Sequence, residues 1–125
     1  MYFEFRISRG NKRDIFVYLP PSYRYEQNKK YPVLYMHDGQ NIFHAAFNGC
    51  SWHVNETVDR LIQNRSMEEI IVVGIPNMGA ERADEFTHAL EGVLYSSDKV
   101  QIKPKGHLYE AFIIEELKPY VDAVF

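Results

Sequence analysis

The sequence predicts an α/β fold: an N-terminal antiparallel hairpin leading into a mainly parallel sheet with flanking helices. Three observations carry that expectation. Two apolar runs without alternation, 31–36 and 70–75, each end in a breaker, His37-Asp38-Gly39 for the first and Pro76-Asn77 for the second. Continuous runs of that length read as strands buried on both faces. Between them, 55–62 places Val58, Leu61 and Ile62 at helical spacing behind an Asn55 cap and an acidic first turn at Glu56, which is the crossover helix of a β-α-β unit. Ahead of them, 2–8 and 13–19 are rich in β-branched and aromatic residues and are separated by Gly10-Asn11, a turn-forming pair that predicts a hairpin. Pro20 and Pro21 stop the second strand, because proline has no N–H to give to the ladder.

The remaining segments follow the same logic. Residues 23–30 are polar and charged, a solvated loop. Near the end, Leu108, Phe112, Ile113, Leu117, Tyr120, Val121 and Val124 mark one face of a second helix. Pro119 is expected to kink it by removing the hydrogen bond to residue 115. Residues 78–106 are loop-rich and too long for an idle connection, which makes them a candidate functional loop.

Composition excludes several classes of function. The chain has 125 residues, with 14 Lys+Arg against 17 Asp+Glu and a net charge of −3, so it lacks the basic stripe of a nucleic-acid module. A hydrophobic content of 46% fits one folded domain, and no apolar run is long enough to span a bilayer. The N-terminus lacks a signal-peptide profile, which makes the cytoplasm the default compartment. The single cysteine, Cys50, excludes an internal disulfide and any multi-cysteine zinc or redox motif.

In an open parallel sheet, ligands bind at the carboxyl ends of the strands, where loops and helix N-termini converge. Two such ends are readable. One is 37–41, His37-Asp38-Gly39-Gln40-Asn41; the other is 76–79, followed by 81–87. Metal binding is not expected, since His37, His44 and His53 match none of the short zinc spacings.

Here the residues resemble a known family. The stretch 17–23, then 31–43 with its His37-Asp38-Gly39-Gln40-Asn41, then Trp52, Asp59, Leu61 and Ile62, then 71–77, 82–87 and 112–122, is similar in order and approximate spacing to an esterase family of α/β-hydrolases. That family includes enterochelin, feruloyl and acetyl-xylan esterases, S-formylglutathione hydrolases and mycolyltransferases. The resemblance covers most of the chain from residue 13 onward. It implies a partial α/β-hydrolase fold, acyl-ester chemistry on a small-molecule substrate, and no cofactor, because triad hydrolysis needs only water as second substrate.

Such hydrolases carry their nucleophile in a Gly-x-Ser-x-Gly elbow. This sequence has none: Ser51 is followed by Trp52-His53 instead of a final glycine, and Ser96 and Ser97 lack flanking glycines. The chain is therefore expected to be the N-terminal portion, 1–125, of a single α/β-hydrolase domain ending before the elbow, with Ser, acid and His beyond Phe125. Strand 31–37 would then have an open edge, available to a partner or to a second copy. The rivals are a non-catalytic binding module and an inactive truncated protein.

By resemblance, the backbone N–H of Gln40 is one oxyanion-hole donor. Gly39 lets the main chain approach substrate, and Asp38 holds the loop. His37 positions the loop or lines the pocket, alongside Asn41 and Asn77. Trp52 walls the pocket or packs the helix start. Arg82 and Glu85 recognise a polar substrate or pair to order the long loop.

Overall fold

Among the described residues, four strands form where the apolar and β-branched runs predict them. The computed structural model describes residues 2–7, 12–46, 49–89 and 102–125. Strands β1 (Tyr2–Ile7) and β2 (Arg13–Tyr18) pair antiparallel, with Tyr2 opposite Tyr18 and Ile7 opposite Arg13. The Gly10-Asn11 turn expected between them lies outside the described residues. Strands β3 (Val33–His37) and β4 (Ile71–Ile75) pair parallel, and β2 pairs antiparallel with β4, giving the order β1-β2-β4-β3. The sheet is mixed, and β3–β4 is its parallel pair among the described strands.

The two apolar strands differ in burial. Every residue of β4 is buried, as a strand flanked on both sides should be. The expectation of two buried faces fails for β3, whose residues are half-buried or exposed, with Leu34 at 45%. The cause is position: β3 is the edge of the described sheet, so its side chains have fewer neighbours than those of β4.

Helix α1 (Val54–Gln63) covers one face of the sheet. Tyr18, Val72, Ile42, Phe43 and Val58 form a buried cluster there, with Phe16, Met36, Val54, Ile62, Met67 and Ile70 packed against it. Each fully buried side chain of this size contributes about 1.5–3 kcal/mol. Tyr18 is the one cluster member with a polar tip, and its hydroxyl donates to Asp59 Oδ1 at 2.5 Å. Burial first, and the Asp59 carboxylate second, push its ionisation well above the ordinary tyrosine range.

The start of α1 corrects the expected cap. Asn55 lies inside the helix, and its buried Oδ1 has no hydrogen-bond partner. The residue before the helix is His53, in the left-handed region at φ 51°, with no side-chain cap. A main-chain carbonyl takes over instead: Val54 N–H donates to Ile42 O at 2.9 Å. The loop after β3 therefore satisfies a donor that a helix start leaves open.

At the end of the sheet where β3 and β4 begin, the connection out of β2 is held by side chains. Ser22 N–H and Oγ donate to Glu69 Oε1 and Oε2, at 2.9 and 2.5 Å. Lys29 Nζ donates to Glu69 Oε2 at 2.5 Å and lies 5.1 Å from the Tyr31 ring centroid. Since Ser22 gives its one hydroxyl proton to Glu69, Tyr31 donates to Ser22 Oγ, at 2.7 Å. Burial works against ionisation of Glu69, but the bonds from Lys29 and Ser22 outweigh it and hold the carboxyl below its usual range. The bond to Glu69 raises Lys29 in turn.

The chain divides into two units at Asn77–Met78. The first holds the sheet and α1. The second contains the short helix α2 (Arg82–Glu85) and a long helical stretch: α3 (Gly106–Ala111), a π-helical segment (Phe112–Leu117) and α4 (Lys118–Val124). Pro119 does not end this helix. Its ring would collide with the carbonyl one α-turn earlier, and the wider π turn just before it is the usual way a helix relieves such a clash. The widening inserts a residue into the period, so burial steps from Tyr109 and Phe112 to Leu117 and then Val121. Tyr120 and Val124, expected on the apolar face, are exposed after this shift; Leu108, which lies ahead of the widening, is exposed as well, and Tyr109 beside it is buried. No helix among the described residues is long and apolar enough to cross a membrane.

Candidate functional site

The carboxyl ends of β3 and β4 lie side by side because the strands are parallel, with His37 opposite Ile75. The sequence-predicted residues 37–41 and 77 meet there. Directly after β3, Asp38 adopts φ 54° and ψ 41°, a left-handed conformation that aspartate tolerates better than most residues. The chain reverses at once into a tight turn, Gly39–Asn41. That reversal lays Gly39 on the backbone of β4: a Cβ on residue 39 would lie 2.5 Å from Gly74 C and 2.6 Å from Ile75 N. Only glycine fits such an approach. Gly74 is the reciprocal small residue, 3.3 Å from the Gly39 Cα when given a Cβ of its own.

Hydrogen bonds then fix the turn. Asn77 Nδ2 donates to Asp38 Oδ1 at 2.8 Å, and Asn77 N–H donates to Gln40 Oε1 at 3.1 Å. Asn41 N–H donates to Asp38 O, and Asn41 O accepts from Trp52 N–H at 2.9 Å. Arg13, only 3% exposed, donates from Nη1 to Pro76 O at 2.9 Å and so steadies the residue before Asn77. In a turn that opens at Gly39, the N–H groups of Gly39 and Gln40 have no acceptor within the turn itself.

The other predicted residues have definite places. His37 is an exposed residue at the tip of β3. Trp52 is seated beside the turn by its bond to Asn41, and 70% of it is exposed, so the ring stands in solvent and not beneath the helix start. Arg82 and Glu85 belong to the second unit. There the Arg82 guanidinium lies 4.8 Å from the Phe86 ring centroid, and Glu85 is buried. The same segment is tied to 103–106: Lys103 N–H donates to Asp84 Oδ1, Lys105 N–H to Asp84 O and Gly106 N–H to Thr87 O. The stretch 90–101 of the long loop, with Ser96 and Ser97, lies outside the described residues.

Two contributors were not singled out from sequence. Gly74 carried a readable signal, since a glycine inside an apolar strand marks close approach by another backbone. Arg13 carried none, because its partner is 63 positions away. Among the described residues, no group of three or more His, Cys, Asp or Glu gathers as a metal site would require.

No curated protein matches the chain. Solved structures do. An IroE-like serine hydrolase from Shewanella oneidensis is 26% identical with a TM-score of 0.77, over 98% of this chain and 38% of that one. The BES protein from Bacillus cereus is 24% identical with a TM-score of 0.70, over 99% and 48%. The siderophore hydrolase EstA from Aspergillus nidulans is 18% identical with a TM-score of 0.74, over 99% and 43%. The chain thus spans less than half the length of these structures. The family model described as Putative esterase matches residues 8–125, nearly the whole sequence, and the chain belongs to that family.

Proposed function

We propose that this chain supplies the oxyanion-binding half of a serine carboxylester hydrolase, the nucleophile, acid and histidine coming from polypeptide outside these 125 residues. One observation carries the reading: the turn after β3 is locked onto β4 with the Gln40 N–H at its opening. In ester cleavage the serine oxygen attacks the carbonyl carbon and the C=O electron pair moves onto oxygen. A main-chain N–H held in place beforehand stabilises that charge without reorganising. The intermediate collapses with loss of the alcohol, and water then hydrolyses the acyl-enzyme. The substrate is a small-molecule ester, and Trp52, His37 and Asn41 border the place where it would lie.

Intact mass after exposure to a fluorophosphonate, which adds covalently to an activated serine, tests this. The expected result is a stoichiometric adduct on a polypeptide that contains this sequence and is heavier than 14.7 kDa. An adduct on the 14.7 kDa chain itself would place the nucleophile within these residues and overturn the division of labour. No adduct on any polypeptide carrying the sequence would favour the second reading, a binding module, which rests on the lack of a Gly-x-Ser-x-Gly in these 125 residues.

A further inference from the structure

We infer that Asn77 is the positioning residue of the oxyanion turn, acting through Asp38 and Gln40 rather than on substrate; this rests on the reading that the Gln40 N–H is the donor. The N–H in question belongs to the peptide joining Gly39 to Gln40. Asn77 holds the turn on both sides of that peptide, by its side-chain amide to Asp38 Oδ1 and by its main-chain N–H to Gln40 Oε1.

The side-chain bond matters because Asp38 sits at φ 54°. A residue with a Cβ leaves that region readily unless its surroundings hold it there. If Asp38 reverted to a right-handed or extended conformation, the reversal after β3 would open and Gly39 would lift from Gly74. The peptide plane carrying the Gln40 N–H would turn with it. Asn77 is itself firmly anchored, because Pro76 before it has a fixed φ and the Pro76 carbonyl is held by Arg13. The link thus runs from a buried guanidinium through the end of β4 into the turn after β3.

Three variants and one measurement on the wild type test the inference. In the longer polypeptide that takes the fluorophosphonate, Asn77→Ala is expected to lower kcat about 10-fold to 100-fold, with KM changed less than about twofold, since a misplaced group weakens the transition state more than binding. Adding Asp38→Gly should return part of that loss, because glycine adopts a positive φ without strain. A merely structural role for Asn77 predicts no such recovery. Gln40→Pro removes the donor together with the Oε1 that accepts from the Asn77 N–H, so the underlying reading requires a loss of kcat in it at least as large as that in Asn77→Ala.

In the same polypeptide, the 15N relaxation order parameter of the Gln40 amide is expected to be about 0.85 in the wild type and below about 0.6 in Asn77→Ala. An unchanged order parameter in Asn77→Ala, or a wild-type value already below about 0.6, overturns the positioning role whatever the kinetics. Unaltered kcat in Gln40→Pro with the expected loss of order in Asn77→Ala would leave the positioning of the turn standing and remove its catalytic purpose.

Discussion

The two ends of the β3–β4 pair are held differently: side-chain bonds serve both, but only one is centred on main-chain packing. At the carboxyl ends, backbone rests on backbone: Gly39 lies against Gly74 and Ile75, and the direction of the chain is set by one left-handed residue, Asp38. At the amino ends, charged and hydroxyl side chains do the holding, through Ser22, Lys29, Tyr31 and Glu69. A contact between main chains has no rotamers with which to adjust, so it fixes a peptide group closely and tolerates no added atom. A network of side chains can relax, admit water and respond to pH. The rigid end is the one that carries the proposed donor, where a fixed N–H is useful. The adaptable end only has to keep a loop in place.

The comparison breaks most sharply at Gly39. Gly39→Ala brings a methyl within 2.5 Å of main-chain carbon, with no flexible group to give way. We expect a loss of about 3 kcal/mol or more in urea unfolding, at or beyond the upper end of ordinary overpacking. Gly74→Ala is the control. Its Cβ meets the Cδ1 tip of Ile42 at 2.6 Å, and Ile42 can change rotamer, so about 1–2 kcal/mol is expected. Equal losses for the two substitutions would show that the 39–74 contact yields as a side-chain contact does.

At the adaptable end, Glu69→Ala leaves the Ser22 N–H and hydroxyl without their acceptor in a half-buried place. About 2 kcal/mol is expected at pH 7. The loss should depend on pH, unlike that of Gly39→Ala. Glu69 is held below its unfolded value, so its contribution is present above about pH 4.3 and is lost as pH falls through the lower folded value. Denaturant melts of wild type and Glu69→Gln from pH 7 to pH 2.5 should therefore converge in the acid range. A constant gap would mean that the carboxylate charge does nothing for the loop.

The difference between the ends also explains what the sequence made legible. Apolar runs and breakers locate β2, β3, β4 and α1 to within a residue or two, because each signal is local and periodic. The strand end with Asp38-Gly39 was readable as a sharp reversal for the same reason. Glu69 was not, since its partners Ser22 and Lys29 are 47 and 40 positions away and nothing local marks the meeting. Asn55 looked like a cap, but the cap is a carbonyl delivered by the tertiary path of the loop at Ile42. The apolar face of the last helix was misassigned because a strict 3.6-residue period cannot anticipate a π turn before Pro119.

Tyr18 offers the finest discrimination, since it borders the adaptable end yet is buried in the core beneath α1. Tyr18→Phe keeps the ring and removes one hydrogen bond to Asp59, whose carboxylate is exposed and can be hydrated in exchange. The expected loss at pH 7 is small, about 1 kcal/mol. Its pH dependence has the opposite sense to that of Glu69. The folded value of Tyr18 is raised, so its contribution is complete below about pH 10 and is lost as pH rises beyond, because the unfolded chain ionises first. Lys29 weakens the fold over a similar alkaline range, but it does so in wild type and variant alike. The stability gap between wild type and Tyr18→Phe should therefore narrow above about pH 10, isolating the tyrosine. A gap that stays open to pH 11.5 would mean that the Tyr18 hydroxyl is reached by water, and that the core under α1 gives way as readily as the side-chain network beside it.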